Sequence, residues 1–275
     1  MNWSWQTFHN RLRITGELVA LTGVRVGMSA ETAMPTATDL PVIKDAHGKP
    51  FIPGSSLRGA VRAYVERIVR TFEGDAHPSK GEARGKGACN PTNKEHWCLK
   101  SREGLAEEEI YHRSCRVCRA LGSPWLASRV RFTDLALIEK ENQSPIKPEL
   151  RDAVAIDREK ESVANKYDFE VLPAGARFHF ELIAENLDEG EELGLVLLGV
   201  RALEQGEILI GGFKGRGLGH VKLEGTQYEW IDRTNLKDYL ITGQAGTLDE
   251  SRRKAALEAL FNALQEGSSD ARTTI

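Results

Sequence analysis

The stretch FIPGSS at residues 51–56, running straight into a long amphipathic segment, constrains this chain more than any other feature. Pro53 holds Ile52 extended and cannot continue a strand ladder, while Gly54 frees the backbone, so an extended piece must end here and the chain must turn. A helix follows, because Leu57, Val61, Tyr64, Val65, Ile68, Val69 and Phe72 recur at three- and four-residue steps along one apolar face. Ser55 or Ser56 is placed to cap it with a hydroxyl. The opposite face carries Arg58, Arg62, Arg67 and Arg70, with Arg58 and Arg62 one turn apart beside the free N–H groups of the helix start. That pattern suits either an anion site or a solvated helix face.

Just upstream, Val42 and Ile43 form a short extended piece, and Asp45 to Gly48 give a turn in which Gly48 can take a positive φ. Residues 8–27 alternate in part, with Leu12, Ile14 and Leu18 set against Arg11, Arg13 and Glu17, as a strand with one buried face requires. Residues 28–38 read as a loop. A second strand is expected over residues 130–137 (VRFTDLAL). A third is expected around Phe178, Phe180 and Leu182, with His179 pointing away from the phenylalanines. Acidic residues 188–192 then precede an apolar helix through Leu203, where negative charge suits the helix start. A last strand covers His220 to Leu223. Strand, helix, strand, strand, helix, strand predicts an α+β protein with a ferredoxin-like or RRM-like core. Beyond Thr226 the sequence reads as a linker containing Trp230, then a helix over Leu248–Leu264, then a disordered tail over the last ten residues.

The 275 residues suffice for one elaborated domain or two small ones. No apolar run is long enough for a membrane span, and the first ten residues lack a signal-peptide core, so a cytoplasmic protein is expected. A net charge of −3 argues against a protein that coats nucleic acid on all sides. Positive charge gathers at 58–70, 113–131 and 214–222, which leaves room for one basic face.

All four cysteines fall inside one region that lacks periodicity. Cys89 and Cys98 precede the pair Cys115 and Cys118, whose Cys-x-x-Cys spacing sets two sulfurs on one tight turn. Their confinement favours a structural zinc over a redox pair or four free thiols, with His96 or His112 able to replace one sulfur. Residues 139–169 are highly charged, carry Pro145 and Pro148, and read as a surface hairpin. At 211–220, five glycines alternate with Lys214, Arg216 and His220, either as a plain glycine-rich turn or as a loop that approaches phosphate; the Gly-Lys-Ser/Thr ending of a nucleotide-binding loop is missing.

Taken together, DLPVIKD at 39–45, FIPGSSLRGAVR at 51–62 and GGFKGRGLGHV at 211–221 resemble the RAMP superfamily, specifically the backbone subunits of type III CRISPR effector complexes, over residues 8–225. The resemblance implies a domain at 1–225 with a zinc-binding insertion at 73–120 and a thumb hairpin at 139–172 that folds over the guide RNA of the next subunit. Residues 226–275 would be a C-terminal helix and flexible tail. It places the ribonuclease carboxylate at Asp39, where Ala37 and Thr38 stand in place of the usual flanking glycines. It implies guide-RNA contacts from Arg25, Ser55, Ser56, Arg58, Arg62, Arg158, Lys166, Gly212, Lys214 and Arg216. It also implies structural zinc on Cys89, Cys98, Cys115 and Cys118, and magnesium or another divalent ion for cleavage. The expected partners are guide RNA, target RNA, further RAMP subunits and the remaining effector subunits. The expected function is a backbone subunit that holds guide RNA and cuts complementary target RNA in antiviral defence. The alternatives are a scaffold that does not cut, and a guide-processing endonuclease with a histidine base, although the first helix contains no histidine.

Overall fold

A computed structural model describes residues 4–27, 38–76, 83–139, 145–160 and 162–272. The expected loop at 28–38 lies, apart from Thr38, outside the described residues.

Strand β1 (Asn10–Ala20) alternates as its sequence demands, burying Leu12, Ile14 and Leu18 and turning Arg11, Arg13 and Glu17 outward. It forms the middle of the sheet. After the short strand β2 (Phe51–Ile52) comes α1 (Gly54–Glu73), then two short helices, α2 (Glu107–Arg113) and α3 (Arg116–Leu121). Strands β3 (Val130–Phe132) and β4 (Leu135–Ala136) follow, and then a two-stranded antiparallel hairpin of β5 (Glu149–Asp157) and β6 (Ser162–Val171). The chain continues through β7 (Arg177–Glu185), α4 (Glu191–Glu204) and β8 (Val221–Asp232). It closes with α5 (Leu236–Thr242), β9 (Gly246–Thr247) and α6 (Glu250–Arg272).

The main sheet has the order β3-β7-β1-β8-β9, with every neighbouring pair antiparallel. Leaving out the short additions, this is two interleaved split βαβ units, the connectivity the sequence pattern predicts. Helices α1, α4 and α6 contact one another and share one core with the inward residues of the sheet, including Ile14, Phe178, Phe180, Leu182 and Trp230. Full burial of one such side chain contributes about 1.5–3 kcal/mol, so alternation along three long strands is enough to decide which face turns inward. The outward face is laced by ion pairs: Arg13 reaches Glu181 at 2.7 Å and Glu229 at 3.3 Å, and Arg11 reaches Glu185 at 2.7 Å. His179 is exposed on this face, opposite the phenylalanines, as expected.

Four expectations change. Neither Ser55 nor Ser56 caps α1; the Asp134 carboxylate accepts the Gly54 N–H at 2.8 Å instead. The same residue interrupts the expected 130–137 strand, because the chain leaves the sheet between β3 and β4 to deliver that cap. Gly54 is required there: a Cβ would stand 2.3 Å from the Phe132 carbonyl oxygen. The linker expected after Thr226 is the second half of β8, with Trp230 paired to Leu12 and 1% exposed. The tail expected to be disordered continues α6 to Arg272. The helix earns its place through Ala256, Leu260 and Leu264, which lie in the main core.

Candidate functional site

Three segments that are distant in sequence meet at the root of the β5–β6 hairpin. Residues 24–27 pair with the end of β6, through reciprocal Val24 and Leu172 hydrogen bonds of 2.9 Å. The segment from Asp39 to Lys44 runs between them. Val42 bridges to Gly27, the Ile43 N–H donates to the Val26 carbonyl at 2.9 Å, and Leu40 bridges in parallel to Phe169. Val42 and Ile43 are thus extended, as read, though Val42 forms an isolated bridge and Ile43 a backbone hydrogen bond rather than a strand. Asp45 closes the following turn, its Oδ1 accepting the His47 and Lys49 N–H groups at 2.9 and 2.8 Å; the Lys49 hydrogen bond leads in holding this carboxyl below the usual range.

The glycine-rich loop docks on the same junction. Gly211 has φ +75°, and a Cβ there would lie 2.1 Å from the Arg25 carbonyl oxygen, so only glycine lets the two backbones approach. Gly212 donates its N–H to that carbonyl at 2.8 Å, so this amide is engaged within the fold instead of facing outward. Phe213 takes a left-handed conformation, φ 58°, and packs on Phe169 at 4.7 Å between ring centroids and on Tyr167 at 6.5 Å. With Val171, Leu218 and Leu40 these rings form a small second core under the hairpin. Lys214 and Arg216 stand exposed on a single 3-10 turn, and Arg216 donates to the Tyr167 hydroxyl at 2.5 Å.

Arg25 is the unusual cation of this junction. Its guanidinium lies 5.3 Å from the Phe213 ring centre, its Nε is buried with no hydrogen-bond partner, and no carboxylate among the described residues pairs with it. Desolvation by burial lowers its pKa from the usual value. A half-buried guanidinium beside glycine backbone, with no carboxylate partner among the described residues, is suited to an anion.

Asp39 is exposed at the edge of β6. Its N–H donates to Asp168 Oδ1 at 2.8 Å, and its own Oδ2 accepts the Asp168 N–H at 3.1 Å, leaving Oδ1 without a protein partner among the described residues. The other expected contacts divide. Arg158 is exposed at the hairpin turn, and Lys166 is exposed on β6, 3.4 Å from Asp152. Ser55 is exposed and Ser56 partly so. Arg62, by contrast, is buried, against the expectation that its helix face is open. It contacts Glu66 at 2.7 Å, the Gly122 carbonyl at 2.8 Å and Cys118 Sγ at 3.4 Å, while Arg58 donates to the Leu121 carbonyl. The cause is the cysteine region, which packs over that face of α1.

The four cysteines converge. The sulfurs of Cys89, Cys98, Cys115 and Cys118 all lie within 4.8 Å of one another and all four residues are buried; His96 is exposed and neither it nor His112 joins the group. Four sulfurs about 2.3 Å from a tetrahedral ion stand about 3.8 Å apart, so the cluster has the donor set and size for a closed metal site. Hydrogen bonds from Cys115, Cys118 and Cys98 hold the Cys89 thiol far below the usual range; Cys118 is pushed up, first by its hydrogen bond with Cys115. The surrounding helices are tied to the core by buried charge: Arg116 pairs with Glu73 at 2.6 Å and with Glu191, and the Tyr111 hydroxyl donates to Glu192.

Sequence reading missed Asp168, Glu170, Tyr167 and Phe213. A signal was present, since YDFE at 167–170 alternates aromatic and acidic residues, as a strand with one packed and one open face does.

A family model described as the RAMP superfamily matches residues 17–222, and the chain belongs to that superfamily. Among its relatives is a protein of Methanocaldococcus jannaschii named CRISPR system Cms endoribonuclease Csm3, 27% identical over 226 residues that span 78% of this chain and 79% of the relative. A protein of the same name from Methanothermobacter thermautotrophicus is 27% identical over 244 residues, spanning 79% of this chain and 85% of the relative. A third, from Enterococcus italicus, is 36% identical over 67 residues, 24% of this chain. No helix among the described residues is long and apolar enough to cross a membrane.

Proposed function

We propose that this chain is a guide-RNA-binding backbone subunit of a type III CRISPR effector complex and that it cuts complementary target RNA with Asp39. The observation that carries the reading is the junction itself: an exposed carboxylate, a guanidinium without a carboxylate partner among the described residues and a basic glycine-rich loop meet at the root of one hairpin. The names of the long relatives support the reaction class. In this reading the β5–β6 hairpin is the thumb. Arg25, Arg158, Lys166, Lys214 and Arg216 meet the guide backbone, Arg58, Ser55 and Ser56 lie beside it, and Arg62 serves the fold.

RNA cutting of this kind begins with a ribose 2′-oxygen attacking the adjacent phosphorus. The O2′–P bond forms, the P–O5′ bond breaks, and the 2′ proton must leave as the 5′ oxygen gains one. Asp39 Oδ1, which has no protein partner among the described residues, can orient the 2′-hydroxyl and draw its proton. A bound divalent ion would supply positive charge to the reacting phosphate. Asp39 offers it one carboxylate and no cluster of three ligands forms there among the described residues, so water and RNA phosphate would complete the shell, as magnesium commonly allows. The cysteine cluster would hold a structural zinc, which takes no part in this chemistry because four thiolates leave no open coordination position.

The test is target cleavage by the assembled complex. An all-ribose target should be cut, and one with a single 2′-deoxyribose at the scissile position should stay intact there; cutting of both would overturn the mechanism. Arg25→Ala should weaken RNA binding and reduce the slope of log affinity against log salt by about 1, as loss of one phosphate contact requires. Salt titration of RNA binding measures it, and an unchanged slope would remove Arg25 from the interface.

A further inference from the structure

We infer that Asp168 is the positioning residue for Asp39, and that the strand β6 sets the direction in which the cutting carboxylate points. This rests on the reading of Asp39 as the cutting group. The two aspartates brace each other through their backbones: each carboxylate accepts the other's N–H, at 2.8 Å into Asp168 Oδ1 and 3.1 Å into Asp39 Oδ2. One carboxylate oxygen of Asp39 is thereby fixed, and the other is left to face the reaction.

The brace continues along the strand. Glu170 donates its N–H to the Leu40 carbonyl at 3.1 Å, while its carboxylate accepts the Val42 N–H at 3.0 Å and pairs with Lys44 at 3.0 Å. Leu40 and Phe169 form the parallel bridge between these contacts, with both side chains in the small core under the hairpin. Asp39, one residue away in an extended segment, therefore belongs to the opposite face, together with Asp168 and Glu170. Two hydrogen bonds to one partner residue restrict the directions Asp39 can take, and a misplacement of about 1 Å is enough to cost such chemistry heavily.

The role ascribed to Asp168 is that of an acceptor, not of a charge. Asp168→Asn retains a side-chain oxygen for the Asp39 N–H, whereas Asp168→Ala removes it. In complexes reconstituted with guide RNA, single-turnover cleavage at saturating target should fall about 10–100-fold for Asp168→Ala and stay within a few-fold of wild type for Asp168→Asn, with target affinity unchanged in both. Asp39→Ala is run alongside. If Asp39→Ala cuts normally, the reading of Asp39 fails; if it is inactive while Asp168→Ala cuts normally, the positioning role alone fails. Equal inactivity of Asp168→Asn and Asp168→Ala would overturn the role by making the charge essential. Failure of Asp168→Ala to enter the complex, with Asp168→Asn assembling, would also overturn it by making the residue structural.

Discussion

Asp39→Ala should slow target-RNA cleavage by the assembled complex by about 10²–10⁴-fold while leaving assembly and guide binding intact, the range expected when a positioned acid–base or charge-stabilising group is lost. The separation of effects follows from where the side chain stands. Asp39 is exposed and, among the described residues, its side chain makes a single hydrogen bond, accepting from the Asp168 N–H. The segment that carries it is held mainly by backbone contacts of Leu40, Val42 and Ile43 and by the packing of Leu40, none of which the substitution removes. Cleavage timed in a denaturing gel, with complex formation followed by size-exclusion chromatography, reads both effects. Cutting at the wild-type rate would remove Asp39 from the chemistry. A wild-type complex that assembles on its guide and never cuts would favour the scaffold reading instead.

Cys118→Ser should destabilise the fold strongly by removing one ligand of the cysteine cluster. Elemental analysis should find about one zinc per chain in the wild type. Loss of one buried ligand should cost at least about 3 kcal/mol, lowering Tm by roughly 6–12 °C for a chain of this size. Cys118 also accepts from Arg62, which in turn holds Glu66 and the end of α3, so the damage should spread into the helix. Calorimetry and amide exchange over residues 58–66 report it. Acid should act in the same direction, because protonating the thiolates releases the metal. A wild type without metal whose Tm is unaffected by Cys118→Ser would refute the zinc reading.

The interleaved core was legible because its signals are local: periodicity placed α1, an apolar run behind acidic residues 188–192 placed α4, and alternation placed β1 and β7. The second half of β8 was not, for a definite physical reason. The register between β1 and β8 shifts at a bulge between Thr15 and Glu17, so the inward positions change from odd residues Val221 and Leu223 to the even residue Trp230. A bulge resets the parity that sequence reading relies on. Arg62 failed for a different reason. An amphipathic pattern describes a helix with one buried face, but α1 is covered on a second side by the cysteine region, and a buried arginine held by carbonyls, a carboxylate and a sulfur reads in sequence like a solvated one. The convergence of all four cysteines was anticipated by their confinement and spacing. The partnership of Asp39 with Asp168 was not, since 129 residues separate them and nothing local couples the two.

The ion-paired outer face of the main sheet has a bearing on where a polyanion can settle. Arg11, Arg13, Arg131 and Arg177 each already have a carboxylate within 3.0 Å. An approaching phosphate there would have to compete with tethered counterions that leave only with their strands, and would gain little from displacing one salt bridge to form another. Among the described residues Arg25 has no such tethered counterion, so in the proposed reading a phosphate arriving at the hairpin root would displace mobile salt rather than a carboxylate of these residues. The sheet, in this sense, carries its own permanent salt, which in the proposed reading would turn nucleic acid away from its broadest surface toward its edge.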